Sequence, residues 1–279
     1  MAPSYNRDTK ASELVSHYAP LIRGKTIFIT GVSPGSLGHG FVKQVAAAKP
    51  AIFILASRSI PKMQSVIDEL HTAHPDIKVK PLALNLLSFA EVRKAAETVN
   101  SWADVPNIDV LVTNAGIMAV PYHQTEDGIE SQFQTNHLSH FLLANLVMDK
   151  ILASKSPRIV AVSSDVHRVG HIRWTDPSFN NGKDYQRWLA YGQSKTANSL
   201  MAVALAEKIV ASVLDNKSNV GVAREVDSQL DLGNGRDVHG VTREAADIAC
   251  AIVAVLGHAG LSLVERGHDG GRVIGAVGN

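Results

Sequence analysis

The sequence predicts an α/β fold in which a doubly wound parallel sheet carries helices on both faces. Short runs rich in β-branched residues alternate with longer amphipathic runs, most of the short runs are apolar throughout, and no repeat or long linker divides the 279 residues. A strand covered on both faces has no exposed side, so continuous apolarity favours a parallel sheet between two helical layers. We therefore expect a single domain.

Each element is predicted from its local pattern. Strands are expected at residues 26–30, 51–56, 79–84, 109–113, 158–163 and 219–223, with a seventh at 272–277. Helices, recognised by apolar residues three or four positions apart, are expected at residues 37–48, 63–71, 89–99, 130–152 and 191–213. The domain then spans residues 24–279, and residues 1–23 form an N-terminal extension.

Composition excludes several classes of protein. Lys and Arg number 27 against 26 Asp and Glu, so the net charge is only +1. The sequence therefore lacks the excess of positive charge that is typical of proteins that bind nucleic acid or an anionic membrane. The single cysteine, Cys250, cannot form an internal disulfide, and the 12 histidines show no metal-ligand spacing with it. The apolar stretch 251–264 contains His258 and is shorter than the ~20 residues that span a bilayer. Since the N-terminal residues also lack the apolar run of a signal peptide, we expect a cytoplasmic protein without stable membrane insertion.

A Gly-rich turn joins the first predicted strand of the domain to its first helix. Its candidate cofactor-binding residues are Gly31, Ser33, Gly35, Leu37 and Gly38. Glycine permits backbone angles closed to other residues and a close approach to a pyrophosphate, whose charge the N–H groups of a helix N-terminus stabilise. A tight turn without a ligand would show the same local pattern. Its place at the start of a βαβ series favours dinucleotide binding in a Rossmann fold.

The residue about 20 positions beyond this turn indicates which dinucleotide is bound. Folds that prefer NAD usually place a carboxylate there to hold the ribose 2′-hydroxyl. Here the position is Arg58, and no carboxylate occurs between the turn and Asp68. A guanidinium can pair with a 2′-phosphate, although a solvated surface arginine is the simpler alternative. The sequence favours NADP(H) over NAD.

The last long predicted helix begins with a tyrosine and a lysine, Tyr191 and Lys195, four residues apart. This spacing places both side chains on one face, one turn from each other. A nearby ammonium favours the phenolate, so we expect Lys195 to lower the pKa of Tyr191 and make it an acid or base. Such pairs also arise by chance on helix surfaces.

Five motifs in order extend these two signals over residues 24–207. They are residues 30–38 (TGVSPGSLG), 113–116 (TNAG), 136–141 (NHLSHF), 162–164 (VSS) and 191–195 (YGQSK). In this order they resemble the classical short-chain dehydrogenase/reductase family, particularly its retinol-dehydrogenase-like and fungal members. The resemblance implies a Rossmann fold and a nicotinamide cofactor, with hydride transfer between a carbonyl and an alcohol.

The resemblance also implies roles for individual residues. Tyr191 is similar to the family's catalytic acid/base, Lys195 to the partner that lowers its pKa and binds the ribose, and Ser164 to the hydroxyl that polarises the substrate carbonyl. Asn136 resembles the fourth catalytic member, which supports a proton-relay water through a helix irregularity. Asn114 resembles the residue that lines the adenosine side of the cofactor. Ser164 also follows a buried strand, at the edge where open α/β sheets bind ligands.

The chain departs from the family pattern at three places. Gly38 comes one residue late, and Asn85 stands where the family commonly has an Asp near the adenine. After residue 223 the family's Pro-Gly turn and its Thr are absent, and residues 211–279, which are expected to include the substrate lid, diverge. Because residues 224–238 are rich in charge and poor in apolar side chains, we expect them to be more mobile than the core.

Three hypotheses about function follow. The first is an NADP(H)-dependent oxidoreductase that acts on a small, fairly apolar molecule, with a role in fungal secondary metabolism. The second is a cofactor-binding protein with little or no turnover, because the lid motif is missing. The third is a sugar-nucleotide epimerase or dehydratase, which normally needs a larger C-terminal domain than the 84 residues after Lys195 provide. A homo-oligomer is compatible with all three.

Other residue types with chemical potential have simpler interpretations. His137 and His140 lie three residues apart on one predicted helix, but no third ligand completes a metal site, so core or packing roles are expected. Met118, Trp174 and Trp188 are candidates for a substrate pocket or for ordinary packing.

Overall fold

The computed structural model describes residues 9–214, 250–257, 260–265 and 272–277. Its strands are β1 (Thr26–Thr30), β2 (Ile52–Ser57), β3 (Lys78–Ala83), β4 (Val110–Thr113), β5 (Arg158–Ser164), β6 (Cys250–Gly257), β7 (Gly260–Glu265) and β8 (Arg272–Val277). Its α-helices are α1 (Ala11–Ile22), α2 (Leu37–Ala46), α3 (Ile60–Ala73), α4 (Phe89–Ser101), α5 (Ser131–Phe133), α6 (Ser139–Leu146), α7 (Met148–Leu152) and α8 (Arg187–Leu214).

All of these strands form one sheet in the order β3-β2-β1-β4-β5-β6-β7-β8. The first six strands in this spatial order, which include β1 and β2, are parallel, and this confirms the predicted doubly wound sheet. The last two strands, β7 and β8, pair antiparallel, which the sequence pattern did not predict. The strand expected at 272–277 is present, whereas the strand expected at 219–223 and the segment 224–238 lie outside the described residues.

Helices pack on both faces of the sheet, and the side chains of β1 show how. Phe28 points into a core shared with α4, α6 and α8, while Ile27 and Ile29 point into a second core shared with α2 and α3. All three are buried. Because alternate residues of a strand face opposite sides, both faces need apolar residues, which explains the continuous apolar run.

Serines start the helices that follow the first three strands. Ser36, Ser59 and Ser88 each accept a hydrogen bond from the backbone N–H three residues later. Such a cap satisfies one of the free N–H groups of the first turn and stabilises a helix by about 1 kcal/mol. These caps fix where α2, α3 and α4 begin, directly above the carboxyl edge of the sheet.

The single helix predicted at residues 130–152 is wrong, because the segment is broken into four parts. A π-helical turn, Gln134–Leu138, separates α5 from α6, and Val147 leaves helical geometry between α6 and α7. A π turn accommodates an extra residue and frequently occurs at functional sites. Asn136 lies in this turn, so the helix irregularity that the resemblance implied is present.

The chain reverses its winding direction beside β1, which pairs with β2 on one side and β4 on the other. Open α/β sheets bind ligands in the crevice at this switch point, beyond the carboxyl ends of the strands. Gly31 follows β1 and Asn114 follows β4. The topology thus brings the Gly-rich turn and the second sequence motif to the same edge.

Candidate active site

The Gly-rich turn has a backbone that only glycine allows at two positions. Gly31 has a φ of 79° and Gly35 a φ of 74°, both in the left-handed region. A Cβ at Gly31 would lie 2.7 Å from the Cα of Ala115, so the turn lies directly against the loop after β4. A Cβ at Gly35 would have no neighbour within 4 Å among the described residues, which leaves this side of the turn accessible within that part of the chain.

Ser36 organises the rest of the turn. Its hydroxyl accepts hydrogen bonds from the N–H groups of Ser33 (3.1 Å) and His39 (3.2 Å) and donates to the carbonyl of Gly31 (3.3 Å). Leu37, the first residue of α2, is 59% exposed. The start of α2 is therefore accessible, and its remaining N–H groups can bind a pyrophosphate.

Asn114 ties the end of β4 to the end of β1. Its Nδ2 donates to the carbonyl oxygens of Thr30 (2.8 Å) and Gly31 (3.4 Å). The backbone N–H groups of Asn114 and Ala115 both donate to Oγ1 of Thr30, at 3.1 and 3.0 Å. Asn114 thus fixes the loop after β4 against the end of β1, on the side where the adenosine is expected.

Asn136 is fully buried and joins three parts of the site. Its Oδ1 accepts from the N–H of Ile117 (2.8 Å), and its Nδ2 donates to the carbonyl of Ile117 and to Oγ of Ser194, both at 2.9 Å. A Cβ at Gly116 would lie 2.9 Å from Oδ1 of Asn136 and 3.8 Å from Nζ of Lys195. The loop after β4, the π turn and α8 therefore meet at Gly116.

Ser164 and Tyr191 form the centre of the site. Ser164 ends β5 and is 6% exposed, and Tyr191 lies in the first turns of α8 and is 5% exposed. The two side chains lie close enough for Ser164 to lower the pKa of the Tyr191 phenol. The hydroxyl of Ser164 also accepts a long bond from the N–H of Val166 (3.4 Å), which fixes the turn after the strand. A carbonyl oxygen placed between the two hydroxyls could therefore accept a hydrogen bond from each.

Lys195 lies one turn after Tyr191 and is almost completely buried. Its Nζ lies 5.6 Å from the centre of the Tyr191 ring and donates to the carbonyl of Val162 at 3.0 Å. Among the described residues, that carbonyl is the one hydrogen-bond acceptor that contacts this ammonium group. Burial lowers the pKa of Lys195 to about 8. A buried ammonium with two hydrogens to spare fits the ribose hydroxyls of a nicotinamide nucleotide.

The structure does not show the lowered pKa that was expected for Tyr191. Burial raises the pKa of the Tyr191 phenol, and the Ser164 side chain opposes that shift only in part. Lys195 is not among the groups that shift this pKa. Tyr191 is therefore protonated at neutral pH.

Two predicted cofactor residues lie away from this cluster, at the ends of β2 and β3. Arg58 follows β2, is exposed, and forms no ion pair with any residue of the described ranges. Asn85 follows β3, where its Oδ1 accepts a 3.2 Å hydrogen bond from the N–H of Leu87; within the described ranges its Nδ2 has no hydrogen-bond partner. Both residues lie at the carboxyl edge of the sheet, on the side where an adenosine would lie.

The candidate pocket residues Met118, Trp174 and Trp188 are 59%, 67% and 49% exposed. Trp188 contacts the ring of Tyr191 edge to face, with 6.3 Å between ring centres. Within the part of the chain that the structure describes, no cluster of three metal-ligating side chains occurs, and no helix is both long and apolar enough to cross a membrane.

Sequence reasoning missed three contributors to the site. Ser36 carries a signal, because a serine directly before a predicted helix is a common N-cap. Thr30 and His140, which are both fully buried, share a 2.9 Å hydrogen bond across 110 residues of sequence. No local pattern could reveal that contact.

Comparison with known proteins places this geometry in a family. Residues 25–176 match the short chain dehydrogenase family. Retinol dehydrogenase 13 of Homo sapiens is 36% identical over 79% of this chain, and the oxidoreductase fscI of Fusarium equiseti is 30% identical over 74%. The chain spans 64% of the former's length and 90% of the latter's.

Solved structures agree with the sequence matches. The crystal structure of an uncharacterized protein from Mycobacterium paratuberculosis is 35% identical, with a TM-score of 0.59 over 69% of this chain and 65% of that one. The likeness supports the single-domain Rossmann fold. This chain belongs to the short chain dehydrogenase family.

Proposed function

We propose that the protein is an NADP(H)-dependent oxidoreductase that interconverts a carbonyl and an alcohol on a small, fairly apolar molecule. The observation that carries the proposal is the buried array of Ser164, Tyr191 and Lys195 beside an open Gly-rich turn. Retinol dehydrogenase 13 and fscI, by their names an alcohol dehydrogenase and an oxidoreductase, support this class of reaction. The resemblance to fungal members leads us to propose a role in secondary metabolism.

The proposed binding mode uses residues on both sides of the switch point. The N–H groups at the start of α2 bind the pyrophosphate, Asn85 and Asn114 flank the adenosine, and Lys195 holds the nicotinamide ribose. Arg58 is exposed at the end of β2, where its guanidinium can pair with a 2′-phosphate. A bound nicotinamide supplies the hydride.

The chain's own residues supply the proton and hold the substrate. Ser164 donates a hydrogen bond to the carbonyl oxygen, and Tyr191 gives its proton to the alkoxide that develops as the carbonyl is reduced. The raised pKa of Tyr191 supports this role, because it keeps the phenol protonated at neutral pH. Lys195, with its pKa near 8, carries charge beside the phenol and stabilises the phenolate after transfer.

Fluorescence titration with NADPH, beside NADPH oxidation with decanal, benzaldehyde and retinal, tests the proposal. We expect saturable NADPH binding and turnover of at least one aldehyde. Binding without turnover of any of them, or of a wider carbonyl panel, would favour the alternative of a cofactor-binding protein. Absence of NADPH binding would contradict both.

A further inference from the structure

A buried histidine, His140, connects the two halves of the candidate site. It lies on α6, is fully buried, and contacts the end of β1 through one ring nitrogen and the π turn through the other. Its Nε2 is 2.9 Å from Oγ1 of Thr30, and its Nδ1 is 3.1 Å from the backbone carbonyl of Asn136.

Counting donors and acceptors fixes the protonation of this ring. The carbonyl of Asn136 can only accept, so Nδ1 of His140 carries the hydrogen. Oγ1 of Thr30 already accepts from the N–H groups of Asn114 and Ala115, which occupies both of its lone pairs. The Thr30 hydroxyl therefore donates to Nε2, which must carry a lone pair. His140 is thus the neutral Nδ1–H tautomer.

Burial agrees with this assignment. Removal of the ring from water lowers the pKa of His140 to about 4. The hydrogen bond with the Asn136 carbonyl opposes this shift, and Lys195 and His137 add to it. A cationic ring would also bring an N–H against a Thr30 oxygen whose lone pairs are in use. The uncharged ring forms both hydrogen bonds without a competing donor.

The two hydrogen bonds lie between groups with different proposed tasks. On one side Thr30 and Asn114 shape the turn that would hold the adenosine half of NADP(H). On the other side Asn136 binds Ser194, the residue before Lys195. We propose that His140 is a positioning residue that couples the cofactor turn at Thr30 to the catalytic turn at Asn136, and that it does so as the neutral Nδ1–H tautomer.

This inference rests on the proposed function, but its first test is independent of turnover. Nitrogen-15 NMR of the histidine rings at pH 7, with His140→Gln used to assign the signal, reports which ring nitrogen carries the proton. We expect the Nδ1–H tautomer for His140. An Nε2–H or a doubly protonated ring would overturn the proposal.

A matched pair of variants separates the two hydrogen bonds of His140. In His140→Asn the amide nitrogen can replace Nδ1 and donate to Asn136, while the contact with Thr30 is lost. In His140→Gln the amide oxygen can replace Nε2 and accept from Thr30, while the donor to Asn136 is lost. The pair therefore removes one hydrogen bond at a time and replaces the ring by an uncharged amide in both variants.

We expect His140→Asn to weaken NADPH binding and His140→Gln to lower kcat, each by roughly threefold to tenfold, the value of one neutral hydrogen bond. The probes are NADPH fluorescence and the panel aldehyde that the wild type reduces fastest. Two variants that lower NADPH affinity and kcat in the same proportion would overturn the proposal in favour of a purely structural histidine. If the wild type bound NADPH but showed no turnover, the proposed function would be contradicted. The proposal for His140 would then be tested by its tautomer and by the NADPH affinities of the two variants.

Discussion

Two glycines near the start of α2 provide a sharp test of the turn geometry. At Gly38 a Cβ would lie 2.5 Å from the carbonyl oxygen of Gly31 and 3.0 Å from Nδ2 of Asn114, so Gly38→Ala forces the backbone of the turn to move. At Gly40, on an exposed part of the same helix, a Cβ would meet no described residue within 4 Å. Gly40→Ala is therefore the matched control.

The expected magnitudes have opposite signs. Overpacking against backbone costs about 3 kcal/mol at the upper end of its range, and the gain in helix propensity from alanine offsets about 1 kcal/mol. Gly38→Ala should therefore lose about 2 kcal/mol of unfolding free energy, and Gly40→Ala should gain about 1 kcal/mol. In a chain of this size those changes lower the melting temperature by roughly 4–8 °C and raise it by roughly 2–4 °C.

Thermal unfolding of both variants, followed by NADPH titration, measures the effect. Because Gly31 and Asn114 would shift, we expect Gly38→Ala to bind NADPH about tenfold more weakly, which corresponds to about 1.4 kcal/mol. Gly40→Ala should bind it as the wild type does. If Gly38→Ala matched Gly40→Ala in both stability and affinity, the close approach of α2 to the turn would be refuted.

Two further predictions concern charged residues. Arg58→Asp should reverse the preference for NADPH over NADH, because a charge-assisted hydrogen bond worth ~1.5–3 kcal/mol becomes a repulsion. In the control Lys62→Asp, the dissociation constants of both cofactors should stay unchanged. If they also stay unchanged in Arg58→Asp, Arg58 is a solvated surface residue. Burial lowers the pKa of Lys195 from its ordinary 10.5 to about 8, so above pH 8 the unfolded chain holds a proton that the folded chain has released. Deprotonation of Lys195 should therefore raise the unfolding free energy of the wild type between pH 8 and 9.5. Lys195→Met, followed by denaturant unfolding over the same range, should lack this rise. The same dependence of unfolding free energy on pH in both proteins would contradict the lowered pKa.

The sequence was sufficient for the elements whose pattern is local. The strands from β1 to β5 lie within one residue of their predicted bounds. Burial on both faces imposes a continuous apolar run on the central strands, whereas the edge strand β3 is largely exposed. The antiparallel β7 and β8 were not predicted, since apolar runs alone do not reveal strand direction. The break in the predicted helix 130–152 depends on contacts of Asn136 with Ile117 and Ser194, which are distant in sequence.

The candidate site shows the same division. The spacing of Tyr191 and Lys195 correctly indicated neighbours on α8, but it could not indicate that the phenol is buried deeply enough for its pKa to rise. The hydrogen bonds of His140 depend on β1 and the π turn meeting at one point, which only the folded chain reveals. Sequence motifs predict the chemistry, and burial in the folded chain shifts the pKa values of the groups that would carry it.

The turnover of Tyr191→Phe tests the central claim most directly. The variant removes the proposed proton donor and keeps the ring, so NADPH affinity by fluorescence titration should be unchanged. With the aldehyde that the wild type reduces fastest, we expect the rate of NADPH oxidation to fall by about 10²–10⁴, as is typical when a general acid is removed. A Tyr191→Phe protein that binds NADPH and turns over at nearly the wild-type rate would contradict the claim.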